Sequence, residues 1–477
     1  MVVGMISLLA SVAFYVLTQN LLILSAPFVL LYLLLCISNW KFAYWILLGS
    51  IIISVQMSLV KTLSLSLPDE PVCWILSVVL GLVIAYRSRV IPHWWTKNPV
   101  IIIIFIQFLW LLVAVLYSTV FFFSVKFLFA KIWYLICFLI FPIFIIKNKK
   151  DFKNLFFCIL IPLVATIVII LIRQIFLKFC FNSISTAIGN IYVNHVEYGA
   201  VLSICYPIIW VAWSLSRTSI KRKQFYFILI LLFAPILYFS FARAAILAVL
   251  FAAFTGYAIK KKFATYIMPC VYGIMTVSLF YFISGDKYIN LRPDYDHTVM
   301  HNDYASHLMS TFQGRDVSSM ERLYRWVAAI RMSADRPLVG YGPHGFVENY
   351  KRYTLSIFKT FSSENNERST THNYFLFMLT EQGWPAMLLY ALLIAVVLAR
   401  AQKTYHRLTD RFYKGCTLAL AMAFAATFVN NFFSEFIETH KVGALFYLII
   451  ALLLILEQKS KDQELTLDEV TDTTVLV

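Results

Sequence analysis

Charge is what this sequence has least of. Only 13% of its 477 residues are charged, against 61% hydrophobic. A soluble chain is about half apolar and a quarter charged. The mean hydropathy of +0.78 agrees. Length alone would suggest about three soluble domains, and the composition excludes that reading. Paired cysteines are also missing. Cys36, Cys73, Cys137, Cys158, Cys180, Cys205, Cys270 and Cys416 stand singly, with no C-x-x-C spacing. They read as small buried hydrophobes, neither a disulfide framework nor a zinc site. No basic stripe with interleaved aromatics is present, so the net charge of +16 does not point to nucleic acid. No internal repeat is visible, which weighs against an inverted-repeat transporter. The first apolar stretch lacks a basic flank and runs into a second, so it is not read as a cleavable signal peptide.

What is present is long apolar runs. A membrane helix needs about 20 mainly apolar residues. Fourteen candidate spans lie near 4–18, 20–36, 42–60, 72–86, 99–118, 127–146, 154–177, 197–214, 225–240, 244–258, 264–284, 384–400, 415–433 and 441–457. The first two are short enough to form one re-entrant pair. The expected fold is therefore an all-α polytopic membrane protein of 12–14 transmembrane helices with one long loop containing short helices.

Lysines and arginines gather between the runs: Arg87, Arg89 and Lys97; Lys147, Lys149, Lys150 and Lys153; Arg217, Lys221, Arg222 and Lys223; Lys260, Lys261 and Lys262; Arg400, Lys403, Arg407, Arg411 and Lys414. With these spans all five groups fall on one side, which the positive-inside rule makes cytoplasmic. Both termini then face the cytoplasm. Residues 1–284 form a transmembrane bundle, 285–383 a long external (periplasmic) loop, 384–457 the C-terminal membrane helices and 458–477 a cytoplasmic tail.

The long loop departs from membrane filler. Asp286 to Thr311 is polar and rich in His, Asp and Tyr. Ser318-Ser319-Met320-Glu321 has capping-box spacing and predicts a helix ending before Pro337, with Leu323, Trp326 and Ile330 on its apolar face and Arg322 and Arg325 on another. Pro337 to Gly345 holds three glycines and two prolines, which specify a tight turn. After a polar stretch, Ser362 to Thr371, comes Thr371-His372-Asn373, with Thr371 as expected N-cap, then Gln382-Gly383. Taken without further context, the bland readings come first. Arg243, in a turn between two spans, is an arginine snorkelling to the interface. Arg322 and Arg325 are a solvated helix face, and His372 is a capping or surface histidine.

The order of these motifs resembles the O-antigen ligase family and its relatives, the O-antigen polymerases and bacterial O-oligosaccharyltransferases, over about residues 190 to 440. The resemblance rests on Ser240-x-x-Arg243-Ala244 between two spans, Arg322-x-x-x-Trp326 followed by Pro337-Leu338-x-Gly340-x-Gly342, and His372-Asn373 followed by Gly383. One departure is Gly383-Trp384-Pro385-Ala386, where relatives often carry x-x-Gly and another small residue after that glycine.

The resemblance implies a glycosyltransferase at the periplasmic face of the bacterial inner membrane. Its donor is a glycan on undecaprenyl diphosphate. Its acceptor is a hydroxyl of the lipid A core, of another lipid-linked repeat unit or of a protein. It needs no cofactor and no metal. Arg243 and Arg322 match the arginines that bind the diphosphate, with Arg315 and Arg325 as possible helpers. His372 matches the general base, kept neutral by nearby arginines, with Asn373 beside it. His297, His301, His307 and, above all, His344 are its rivals. A lipid-linked-oligosaccharide flippase or transporter is the reading from another class. It would carry its charges along a cavity within the spans, whereas here Arg173 is one of few ionisable residues well inside a span.

Overall fold

The structure, a computed structural model, describes residues 26–60, 63–86, 91–291, 317–358 and 370–475. In hydrocarbon each backbone N–H and C=O must find its partner within the segment, so apolar runs of this length become helices. Among the described residues, twelve helices are long and apolar enough to cross a membrane. They are α1 (Ala26–Ile53), α2 (Asp69–Tyr86), α3 (Pro99–Leu116), α4 (Phe121–Ile145), α5 (Lys149–Phe176), α6 (His195–Leu215), α7 (Ile220–Phe239), α8 (Arg243–Lys260), α9 (Ala264–Ile283), α11 (Tyr374–Arg407), α12 (Arg411–Phe432) and α13 (His440–Val475), while α10 (Val317–Asp335) lies in the long loop.

One sequence expectation changes at the start of the chain. The span expected at 42–60 stops at Ile53, and an antiparallel hairpin of β1 (Val55–Val60) and β2 (Leu63–Leu67) follows. Its Leu-Ser-Leu-Ser-Leu strand alternates with the period of two that a strand requires. The span expected at 4–18 lies outside the described residues, as does the start of the one at 20–36. Within α1, Asn39 leaves helical geometry (φ −150°, ψ 74°). The Tyr32 hydroxyl donates to Ala43 O at 3.0 Å. Eleven residues of straight helix rise about 16 Å, so the arms on either side of Asn39 fold toward each other, as two separate runs at 20–36 and 42–60 would.

Small residues let the central helices approach closely. Gly199 of α6 lies against Ala242 and Ala245, and Gly256 of α8 against Met422 of α12. The basic loops converge on one end. Lys149 pairs with Asp410 at 2.5 Å, Arg407 with Glu464 at 3.0 Å and Lys41 with Asp151 at 2.5 Å. Asn98 reaches Glu457, Gln402 accepts from Ala264 N, and Gly415 packs on Leu215. Of the basic residues named above, Arg87 and Arg89 lie outside the described residues.

At the opposite end, α10 covers the bundle through its own small core. Tyr324, Val327, Ala328, Met332, Tyr341, Phe346 and Tyr350 are buried together. The apolar face expected on Leu323, Trp326 and Ile330 is only partly buried. The inward stripe is Tyr324, Val327, Ala328 and Met332, because the side chains that follow Pro337 pack on that side. The turn after α10 locks onto a break in α11. Tyr341 N donates to Thr380 O and Gly342 N to Glu381 O, both at 2.9 Å, and Trp384 N donates to Pro337 O at 2.9 Å. Gly383 is left-handed there (φ 81°), and a Cβ would collide with Leu338 O. Gly340 (φ 64°) would place its Cβ 2.6 Å from Thr380 O. Gly383→Ala should therefore lower the thermal midpoint, since the backbone region alone costs about 1–3 kcal/mol. Residues 317–358 should become protease-sensitive while the bundle stays in the membrane. Wild-type protection of that segment would show the contact to be adaptable.

Candidate functional site

The site is built where α10, the segment before α11 and the α12–α13 turn meet. Trp326 Nε1 donates to Thr371 O at 3.0 Å, and its ring lies edge-on to Phe432 with centroids 6.3 Å apart. The helix thereby fixes the backbone immediately before His372. The N-cap is Asn373 rather than the expected Thr371. Asn373 Oδ1 accepts from Phe375 N and Leu376 N, while the buried Thr371 hydroxyl donates to Asn373 O. The displacement follows from His372, which sits at a left-handed φ of 50° and holds the chain out of the helix for two more residues. Asn373 is thus a structural cap.

His372 faces a carboxylate. Its Nδ1 lies 3.9 Å from Glu435 Oε1, within ion-pair range but beyond a hydrogen bond. The His372 backbone N–H and the Thr370 hydroxyl both donate to the Glu435 carboxyl. Burial pushes that carboxyl up to about 7, against the pull of Thr370 and of Arg325. Burial, then Arg325, then Arg322 push the His372 imidazole down to about 3. The histidine is thus neutral, with the guanidiniums of Arg325 and Arg322 acting on it.

The two arginines differ in burial. Arg325 is buried, lies 3.6 Å from Glu321, and acts on His372 ahead of Arg322, which is more open. Arg243 opens α8, whose first turn packs against α6 through Ala242 and Ala245 at this same end of the bundle. His344 lies elsewhere, on a left-handed turn (φ 66°) against Phe123 and Phe127, its imidazole lowered by burial. Arg315, His297, His301 and His307 lie outside the described residues.

Sequence reasoning missed Glu435. Its signal was the polar run Asn430, Asn431, Ser434, Glu435, Glu438, His440 and Lys441 between the last two spans, which had passed as an ordinary short loop. Further ionisable groups gather at the ends of the spans. Lys131 of α4 binds Glu438 at 2.7 Å, and the Tyr374 hydroxyl donates to the same carboxylate at 2.6 Å. His440 lies 3.7 Å from Asp69, and Lys441 is enclosed by the end of α1. These charges line one end of the bundle, where a transporter would need them along its length.

A model of the O-antigen ligase family matches residues 227–391. The matched stretch contains Arg243, Arg322, Arg325 and His372, and leaves out Glu435. A search of curated proteins finds no match. The family brings glycan-transfer activity of the ligase and polymerase type, with a lipid-linked donor. With twelve membrane-length helices among the described residues, the chain is a multi-pass membrane protein whose stretch from α7 to α11 is similar to the O-antigen ligase family.

Proposed function

We propose that this protein transfers a glycan from undecaprenyl diphosphate to an acceptor hydroxyl, with the lipid A core as the acceptor, at the periplasmic face of the bacterial inner membrane. The observation that carries this reading is the neutral His372 held between a carboxylate and two arginines, at the end of the bundle away from the basic loops. Arg322, Arg325 and Arg243 hold the diphosphate, whose oxygens suit planar bidentate donors. The acceptor oxygen attacks the anomeric carbon, its proton passes to His372, and the carbon–phosphate oxygen bond breaks with its electron pair leaving on the lipid diphosphate. The arginines neutralise the charge that grows there. Glu435 faces Nδ1 at 3.9 Å and accepts its N–H once substrate binding closes that gap, which leaves Nε2 as the base. The residues do this work without a metal. The basic loops face the cytoplasm, as does the C-terminal end of α13.

Reconstitution tests this directly. Purified protein in oriented vesicles receives lipid-diphosphate glycan and, separately, lipid A core, a second lipid-linked unit or an acceptor protein. Product on lipid A core, made only from the face opposite the basic loops, is the expected result. No product with any acceptor would overturn the reading. The pH profile adds a check on the carboxylate. Glu435 must be ionised to accept the Nδ1–H, and its carboxyl sits at about 7. In the free enzyme kcat/KM should therefore fall as pH drops through about 7. His372, neutral down to about 3, adds no limb near its ordinary 6.5. Glu435→Gln should lower the rate and remove the limb near 7. A limb unchanged in that variant would take Glu435 out of the mechanism.

A further inference from the structure

A second cavity opens beside this site. It has a volume of about 260 Å³, and its walls include Gln56, Ser66, Asn190, Glu197, His440 and Lys441. These residues come from the β1–β2 hairpin, the loop before α6, the first turn of α6 and the start of α13. The Phe436–Glu438 turn joins it to Glu435. From Glu435 to Lys441 the chain can span at most about 20 Å, and the turn shortens that. The cavity therefore lies within a few sugar lengths of His372.

Its walls are fixed by contacts on their outer side. The Lys441 ammonium donates to Ile51 O, Ile52 O and Ser54 O at 2.8–3.0 Å, closing the end of α1. His440 Nδ1 meets the Tyr134 hydroxyl at 2.6 Å. The Glu197 carboxylate accepts from Val193 N at 2.8 Å. The Tyr192 ring lies 5.2 Å from the Lys441 ammonium. One cation and one carboxylate offset each other, so the cavity does not select an anion as the arginine cluster does. Hydroxyl, amide and imidazole groups share the walls with Ile191 and Val193, a mixed lining that suits a sugar ring better than an acyl or polyprenyl chain. The volume falls just below the ~300–1,000 Å³ of ordinary ligand pockets. Fixed donors and acceptors of both kinds, no net charge, an aromatic ring and room for about one ring are the requirements of an uncharged sugar residue.

We infer that this cavity is a sugar subsite. It holds one residue of the glycan while His372 and the arginines act on the reacting bond. It rests on the transferase reading for its role, and the sugar comes from the donor glycan or from the acceptor. Asn190, exposed at the rim, allows a test that leaves His372, Glu435 and the arginines untouched.

Asn190→Trp should obstruct the cavity and Gln56→Ala should remove one donor–acceptor pair. Kinetics are run with donors of one or several sugars on the same lipid diphosphate, and with full or shortened acceptors. If the donor supplies the sugar, KM rises about tenfold, or 1.4 kcal/mol, for the several-sugar donor and stays put for the one-sugar donor. If the acceptor supplies it, only the full acceptor's KM rises. Unchanged KM values for every substrate in both variants overturn the subsite. Binding of the free oligosaccharides released from those donors, followed by saturation-transfer NMR, is measured alongside. Binding present in the wild type, lost in Asn190→Trp and kept in Arg322→Lys supports the subsite even if no transfer is found. Absence of binding sensitive to either variant, again without transfer, sinks it.

Discussion

His372→Ala is expected to slow glycan transfer by about 10²–10⁴, the usual worth of a general base. The loss should fall on kcat, because the diphosphate is held by arginines that the substitution leaves in place. Donor occupancy, measured separately with a non-transferable lipid diphosphate, should stay near the wild-type level. His344→Ala is the control. That histidine is also kept neutral by burial, but it packs on Phe123 and Phe127 and has no part in the proposed chemistry. A normal rate in His372→Ala together with a large loss in His344→Ala would move the base to the glycine-rich turn. A normal rate in both would remove histidine base catalysis.

Arg322→Ala is expected to cost about 10²–10³ in rate, as removal of one donor to a developing negative charge does. Arg322→Lys should recover little, since an ammonium cannot present the planar fork that grips two oxygens. Arg325→Ala should be at least as harmful. Its guanidinium is buried and acts on His372 more strongly than Arg322 does, so its loss also lets the imidazole pKa climb toward 6.5 and brings an acid limb into view. Arg243→Ala should weaken donor binding without moving that limb. Full activity in Arg322→Lys and Arg325→Lys would mean the two serve only as point charges.

The membrane spans were legible because each answers to one strong demand, about 20 apolar residues with every backbone group satisfied locally. The basic loops were legible for a similar reason, and contacts such as Lys149 to Asp410 bring them together. The end of α10 could be read from Pro337, while its start at Val317 precedes the Ser318 of the capping spacing. Its buried face could not, because Tyr341, Phe346 and Tyr350 fold back onto it from beyond the turn. The hairpin at 55–67 hid inside an apolar run whose period of two is visible only when compared with a period of 3.6. His372, Arg322 and Arg243 were singled out as candidates through motif order. Glu435 was not, since its partner lies 63 residues earlier in the chain and no local pattern announces a contact of that range.

The junction between the glycine-rich turn and the break in α11 runs backbone to backbone, at Tyr341, Gly342 and Trp384. Such a joint reads no side-chain identity beyond the absence of a Cβ at Gly340 and Gly383. Residues 317–358, apart from Arg322, Arg325 and Trp326, can therefore change their surface without losing their seat on the bundle. Exchange of residues 317–358 between relatives of different glycan preference should succeed wherever those two glycines are kept. Mutational drift in the turn should then avoid Gly340 and Gly342, whose Cβ atoms would meet Thr380 and Ser118, and the joint would act as a standard fitting under an interchangeable part.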